Sequence, residues 1–269
     1  MPQITARICG VCPTAHHMAA VKALDASIGV EIPKAARLLR ELLYMGHFIH
    51  SHALSLFVLQ GPDLVFGYDS DPTQRNVVGL VNAAPDIAKK ALRIRTLGQK
   101  INEMVGGRGI HPVTAVVGGI SFELDREKKA ALDTWAKEAT KLASELIPVA
   151  KKLLLNLIGK HPELVSKWSL NTHYMGTVQQ GVPNFYNGTL RVLKDSGEVL
   201  MEFSDQEYDK YLQEKAVDYS YLKPVTLCLG EQTIVYRVSS LGRVNCADKM
   251  GTELANRELD EFRKTLGRP

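Results

Sequence analysis

The stretch Arg7-Ile8-Cys9-Gly10-Val11-Cys12-Pro13-Thr14-Ala15-His16-His17 decides how the rest of the chain is read. Its two cysteines are half of the four in the molecule, and two histidines follow within five residues. A Cys-x-x-Cys pair places two sulfurs within reach of one metal ion or of each other. Gly10 permits a tight turn between them, and Pro13 suits the first turn of a following helix. The expected form is a turn that projects two thiolates, followed by a helix that carries His16 back towards them. A closed tetrahedral protein site needs about four ligands, so this stretch supplies only part of one.

Outward from that turn, the chain has ordinary globular composition. Its 269 residues are 45% hydrophobic and 23% charged, enough to bury a core in one or two domains. The net charge of +4 is dispersed, with no basic stripe interleaved with aromatics, so nucleic acid is not an expected partner. Four cysteines do not make a disulfide framework and fit a reducing compartment. The first residues lack a charged segment followed by an apolar one. No apolar run reaches the roughly 18 residues of a membrane span. A cytoplasmic, soluble chain is the expectation.

The pattern predicts a small-residue helix from Thr14 to about Ile28, ended by Gly29. A longer helix starts at Pro33, with Leu38, Leu42, Met45, Ile49 and Leu56 near helical spacing. Its second half is apolar nearly all round, which predicts deep burial, and Gly61-Pro62-Asp63 is read as its end, with a loop over 64–72. A third helical stretch runs from about Thr73 to Val105, kinked or divided at Pro85. An extended segment is expected over Val113–Val117. Another long helix follows from Asp125 to about Ile158, with Leu132, Trp135, Leu142, Leu146, Val149 and Leu153 on its inner face. Beyond about residue 169, short alternating runs at Thr189–Leu193, Val199–Phe203 and Thr233–Val238 predict strands. Asp195-Ser196-Gly197 reads as a hairpin turn. Ser204 reads as the cap of a short helix with Tyr208 and Leu212 inward, and Asp248–Leu266 as a charged terminal helix. The expected architecture is mainly α: a helical core over 1–168, a smaller α+β portion over 169–247, and a helix over 248–269 returning to the core.

Taken alone, Cys9-x-x-Cys12 is compatible with a metal site, a redox disulfide or a structural pair. A thioredoxin-like motif would follow a strand in a βαβ unit, whereas long helices follow here. Zinc would want a second close-spaced pair, and Cys228 and Cys246 lack that spacing. The double glycines do not form a phosphate loop, because no Lys-Ser/Thr follows them.

Arg7-x-Cys9-Gly10-x-Cys12-x-x-x-His16 resembles the N-terminal signature of the large subunit of nickel–iron hydrogenases. A second stretch is similar to another family segment: Arg95-Thr96-Leu97-Gly98-Gln99, then Gly106-Gly107-Arg108-Gly109-Ile110-His111-Pro112 and Gly118-Gly119. Gly61-Pro62-Asp63 and Tyr236 to Asn245 add to it. The flavour is that of the cytosolic methyl-viologen-reducing or heterodisulfide-reductase-linked enzymes. The resemblance implies the large-subunit fold of long bundled helices and reversible heterolytic oxidation of dihydrogen. It implies a nickel–iron centre with carbon monoxide and cyanide on iron. Electrons would pass to iron–sulfur clusters on a small subunit, then to further acceptor subunits. By the same resemblance Cys9 is a terminal nickel thiolate and Cys12 bridges nickel and iron. His16 hydrogen-bonds the bridging sulfur, and His111 is a candidate for the small-subunit interface or, equally, a stabiliser of its turn; Arg7 either hydrogen-bonds around the metal site or anchors the turn. The family's second Cys-x-x-Cys pair has no match, so the chain is expected to be an internal portion of a large subunit or a truncated relative, inactive alone. Two alternatives are a non-catalytic scaffold resembling the quinone-reducing relatives and a zinc- or disulfide-bearing protein.

Overall fold

The computed structural model describes residues 1–167 and 170–267. The chain divides into two compact units, Met1–Leu164 and Val165–Pro269. The boundary expected at 168 falls on Trp168, outside the described residues.

In the first unit a short helix α1 (Pro2–Thr5) passes into a 3-10 turn at Ala6–Ile8. Helix α2 (Pro13–Ile28) starts on Pro13 and stops at Gly29, whose φ of 72° is left-handed. Helix α3 (Lys34–Ala53) runs without a break into a π-helical turn, Leu54–Leu59, and then α4 (Gly61–Phe66). Gly61-Pro62-Asp63 therefore begins a helix instead of ending one. Proline needs no backbone donor in a first turn, and Asp63 adds a favourable charge there. Pro85 divides the next stretch into α5 (Val77–Ala83), capped by the Asn76 side chain, and α6 (Pro85–Gly106). A two-stranded hairpin follows, β1 (Ala115–Val116) and β2 (Gly119–Ile120), then α7 (Arg126–Lys160) and α8 (Glu163–Ser166). Asp125 caps α7 by accepting from the Lys128 amide, and Pro148 lies inside it.

Helices α3 and α6 pack through glycine. A Cβ on Gly98 would lie 2.5 Å from the His50 nitrogen and 2.8 Å from the Gly46 oxygen, so the backbones touch. This close approach corrects the expected inner face of α3. Leu38 and Met45 are exposed, while Ala36, Arg40, Leu43, Gly46, His47, His50 and Ala53 are buried. The buried stripe has helical spacing, but polar side chains share it. The π-helical turn is half-buried, not deeply buried. By length and composition alone, Lys34–Phe66 is apolar enough to cross a membrane, with a mean hydropathy of 1.3 over its best window. The expectation that no stretch reaches that length is corrected accordingly. Helix α7 keeps its expected face, with Leu132 and Leu146 buried and Leu142 packed on Ala53, Ala91 and Ile94.

The second unit is built on sheets. Strand β3 (His173–Gln179) pairs antiparallel with β4 (Val182–Pro183) and β5 (Thr189–Leu193), and β5 pairs with β6 (Val199–Phe203). The β5–β6 hairpin turns at Gly197, φ 84°. Ser204 and Glu207 form a reciprocal cap at Asp205–Glu207 ahead of α9 (Tyr208–Tyr211). Tyr208 is exposed and Tyr211 packs on Phe203 instead, with ring centroids 4.8 Å apart. Strands β7 (Leu212–Glu214), β8 (Val225–Leu229) and β9 (Gln232–Ile234) form a second antiparallel sheet. Strand β10 (Tyr236–Arg237) joins β3 in parallel. Helices α10 (Ser239–Cys246), absent from the sequence-based expectation, and α11 (Glu253–Leu266) complete the unit. The terminal segment falls within the second unit. The Arg263 guanidinium donates to the Val244 and Ala247 carbonyls and holds it there.

Candidate metal centre

The turn between the 3-10 segment and α2 does what its sequence predicts. Ligand atoms of Cys9, Cys12 and His16 lie within 4.8 Å of one another, and each residue is half-buried. Cys12 is the N-cap of α2, so one helical turn separates it from His16 and brings the imidazole to the thiols. Among the described residues this is the one cluster of three or more His, Cys, Asp or Glu side chains close enough to share an ion.

Backbone N–H groups of Val11 and Cys12 donate to Cys9 Sγ at 3.4 and 3.2 Å. The Cys12 thiol, then these amides, hold Cys9 below the ordinary thiol range. Burial and the neighbouring Cys9 push Cys12 up to about 11. Cys9 is therefore the readier of the two to ionise, and a cation bound between them would take the place of the Cys12 proton. Two thiolates and one imidazole form a soft donor set that suits nickel or zinc better than magnesium or calcium. They fit the thiolate half of a nickel–iron centre.

Arg7 is exposed, and no hydrogen bond or ion pair holds it among the described residues. His17 turns the other way: it is fully buried, and its Nδ1 lies 3.0 Å from the Pro2 carbonyl, tying α1 to α2. Burial lowers its pKa. Cys228 lies in β8, and Cys246 is buried against Tyr174, Val178 and Leu193 in the second unit.

Sequence reasoning missed the supports of the turn. Arg40, with no exposed surface, donates from Nη1 to Asp25 Oδ2 at 2.6 Å. Its Nε and Nη2 reach the Gly119 carbonyl at 3.0 and 2.8 Å, and Nη2 reaches the Val116 carbonyl at 2.6 Å. The Gly118 amide donates to Asp25 Oδ1 at 2.8 Å. Helix α2 is thus bolted by its far end to the β1–β2 hairpin. His111 lies just before that hairpin with φ 57°, and its Nδ1 is 2.8 Å from the Ala6 carbonyl. A histidine at positive φ is a conformational signal only a structure supplies.

Residues 1–73 match the model of the nickel-dependent hydrogenase family. One component of the F420-non-reducing hydrogenase vhu of Methanocaldococcus jannaschii is 43% identical over 274 aligned positions, covering 100% of this chain and 64% of that protein. Residues 1–73 carry a nickel-dependent hydrogenase domain. The beta subunit of the NAD-reducing hydrogenase HoxS of Cupriavidus necator is 30% identical, across 97% of this chain and 56% of its own length. Among solved structures, an NAD+-reducing nickel–iron hydrogenase in the H2-reduced state superposes with a TM-score of 0.91 and 32% identity, over 99% of this chain and 60% of that one. The chain therefore spans about three-fifths of the length of these hydrogenase relatives.

Proposed function

We propose that this chain is the nickel-binding portion of a cytoplasmic nickel–iron hydrogenase large subunit, working in reversible oxidation of dihydrogen. The observation that carries it is the convergence of Cys9, Cys12 and His16 at the start of α2, in a chain whose fold and sequence are those of the family. Cys9 would be the terminal nickel thiolate, Cys12 the sulfur shared with iron, and His16 the donor to that sulfur. When bound, a nickel–iron centre with carbon monoxide and cyanide on iron supplies heterolytic cleavage of dihydrogen. The protein's part is to hold two thiolates in register, favour ionisation of Cys9 through the Val11 and Cys12 amides, and place an imidazole beside both sulfurs. His111 would face the iron–sulfur small subunit, which takes the electrons and passes them to further acceptor subunits. Arg7 keeps a role at the rim of the site, exposed towards whatever covers the turn.

The test is metal content of the large subunit matured in the presence of its small subunit. About one nickel per chain is expected in the wild type, lost in Cys9→Ser and Cys12→Ser. Nickel retained in Cys12→Ser, or zinc in its place in the wild type, sinks the reading. Residues 1–269 contribute one close-spaced cysteine pair, so the isolated chain is expected to turn over no dihydrogen; turnover by it would overturn that.

A further inference from the structure

A hydrogen bond ties the second signature stretch to Ala6, the residue just ahead of the first, about a hundred residues away in sequence. We propose that His111 is a positioning residue for the Cys9 thiolate, acting through the Ala6 carbonyl. This rests on the reading of Cys9 and Cys12 as metal ligands.

A carbonyl only accepts, so the His111 ring carries its proton on Nδ1 and donates to Ala6 at 2.8 Å. Ala6 is fully buried in the 3-10 turn that ends one residue before Cys9. Holding its carbonyl therefore fixes where the backbone enters the turn and where Cys9 Sγ meets the Val11 and Cys12 amides. The donor is itself held rigidly. Pro112 is fully buried, and a Cβ on Gly106 would come within 2.8 Å of Pro112 and 3.0 Å of Leu43, so the loop is clamped on α3. The Val113 amide donates to the Gly106 carbonyl at 2.9 Å, and Thr114 Oγ1 to the Val105 carbonyl at 2.7 Å. The price is a left-handed backbone at a non-glycine residue, φ 57°, a conformation that persists when the surroundings over-determine it.

The far end of α2 closes the circuit. Asp25 takes the Gly118 amide and the Arg40 guanidinium, and Arg40 takes the Val116 and Gly119 carbonyls. From Cys12 the path runs along α2 to Asp25, across to the hairpin, back through Pro112 and His111 to Ala6, and so to Cys9. Both cysteines are thereby referred to one rigid segment.

Asparagine separates this role from a general packing role. Its Nδ2 stands where histidine Nδ1 stands, and it tolerates positive φ better than alanine or glutamine. The full chain is compared as wild type, His111→Ala, His111→Gln and His111→Asn. One readout is Cd(II) affinity, followed by the thiolate-to-cadmium absorption band, with Cys9→Ser and Cys12→Ser as controls. The other is amide exchange of Cys12 in metal-free protein. Losing the bond in Ala and Gln is expected to speed Cys12 exchange about fivefold and to weaken Cd(II) by a similar factor. Asn restores both, and exchange along β3 in the second unit stays unchanged. Wild-type Cys12 exchange in Ala and Gln, or failure of Asn to restore it, overturns the proposal. If the wild type gives no cysteine-dependent cadmium band, the metal reading falls, and the Cys12 amide still judges the positioning role.

Discussion

Two arginines, one in each unit, make carboxylate pairs of the same 2.6 Å length and opposite character. Arg40 is sealed against Asp25, with side-chain exposures of 0% and 11%. Arg191 bridges Glu202 and Asp248, whose side chains are 42% and 65% exposed. The contrast runs through the units that hold them. Among the described residues, Thr14, His17, Asp25, Arg40, His47, His50, Asn102 and Thr114 are buried in the first unit, and Thr172 and Asn245 in the second. The second unit has apolar clusters such as Met175, Val192, Phe203 and Leu227 inside, and the carboxylates that Arg191 meets are solvated. A buried polar network stabilises little beyond an apolar core but specifies one arrangement. Such a network, Arg40 and Asp25 with the Val116, Gly118 and Gly119 backbone, lies in the unit that carries Cys9 and Cys12.

The sharpest way to break the contrast is to remove the guanidinium. Arg40→Met leaves Asp25 buried without its cation and frees two backbone carbonyls. A loss of about 3–5 kcal/mol is expected for the first unit, read by urea unfolding followed through Trp135. A loss under 1 kcal/mol would show that Arg40 is as dispensable as a surface arginine.

Acid should separate the units next. Burial, then His50 and His52, lowers His47 from 6.5 to about 4, and burial lowers His50 and His17 as well. The folded state binds fewer protons than the unfolded one between those values. The stability from a neutral His47 is therefore complete above about pH 6.5 and is lost as pH falls towards 4, on the order of 3 kcal/mol. His47→Gln should flatten the pH slope of the first unit between pH 6.5 and 4. An unchanged slope would refute the assignment. The second unit should hold its stability across that window.

The same contrast explains what could be read from the sequence. Strands Thr189–Leu193 and Val199–Phe203 match expectation residue for residue, because alternation and the Asp195-Ser196-Gly197 turn are local signals. Asp125, Pro85 and Gly29 marked helix ends for local reasons too. The inner face of α3 is not the one its apolar spacing at Leu38 and Met45 predicts, because Gly46 and Gly98 draw the other face inward. Glycine contacts between helices leave no periodic apolar mark. At the site, Cys9, Cys12 and His16 were legible since they lie within one turn and a helix start. His111 with Ala6, and Arg40 with Asp25 and the hairpin, were not, because they join residues distant in sequence.

Helix contact is the third place to push. Gly98→Ala sets a methyl 2.5 Å from the His50 nitrogen and 2.8 Å from the Gly46 oxygen, both backbone atoms that cannot swing aside. About 2 kcal/mol of destabilisation is expected from overpacking. Gly159→Ala in α7 meets nothing within 4 Å and should stabilise by roughly 0.5–1 kcal/mol through helix propensity. Equal effects at the two positions would deny that α3 and α6 touch through glycine.

The smallest effect is expected at the second arginine. In Glu202→Gln, Arg191 keeps Asp248 at 2.9 Å and the Cys246 carbonyl at 3.0 Å. Glu202 is solvated enough to lose little when neutralised, and the amide oxygen still accepts from Arg191 Nε. Less than about 1 kcal/mol should be lost, and less still in high salt, because an exposed pair is screened over a few ångströms. Arg40 should show no comparable salt dependence, since the Asp25 pair is out of reach of mobile ions. Measuring Arg40→Met and Glu202→Gln at low and high ionic strength therefore tests the comparison itself. If both respond alike, burial is not what separates the two units, and the polar interior of the first would need another reason.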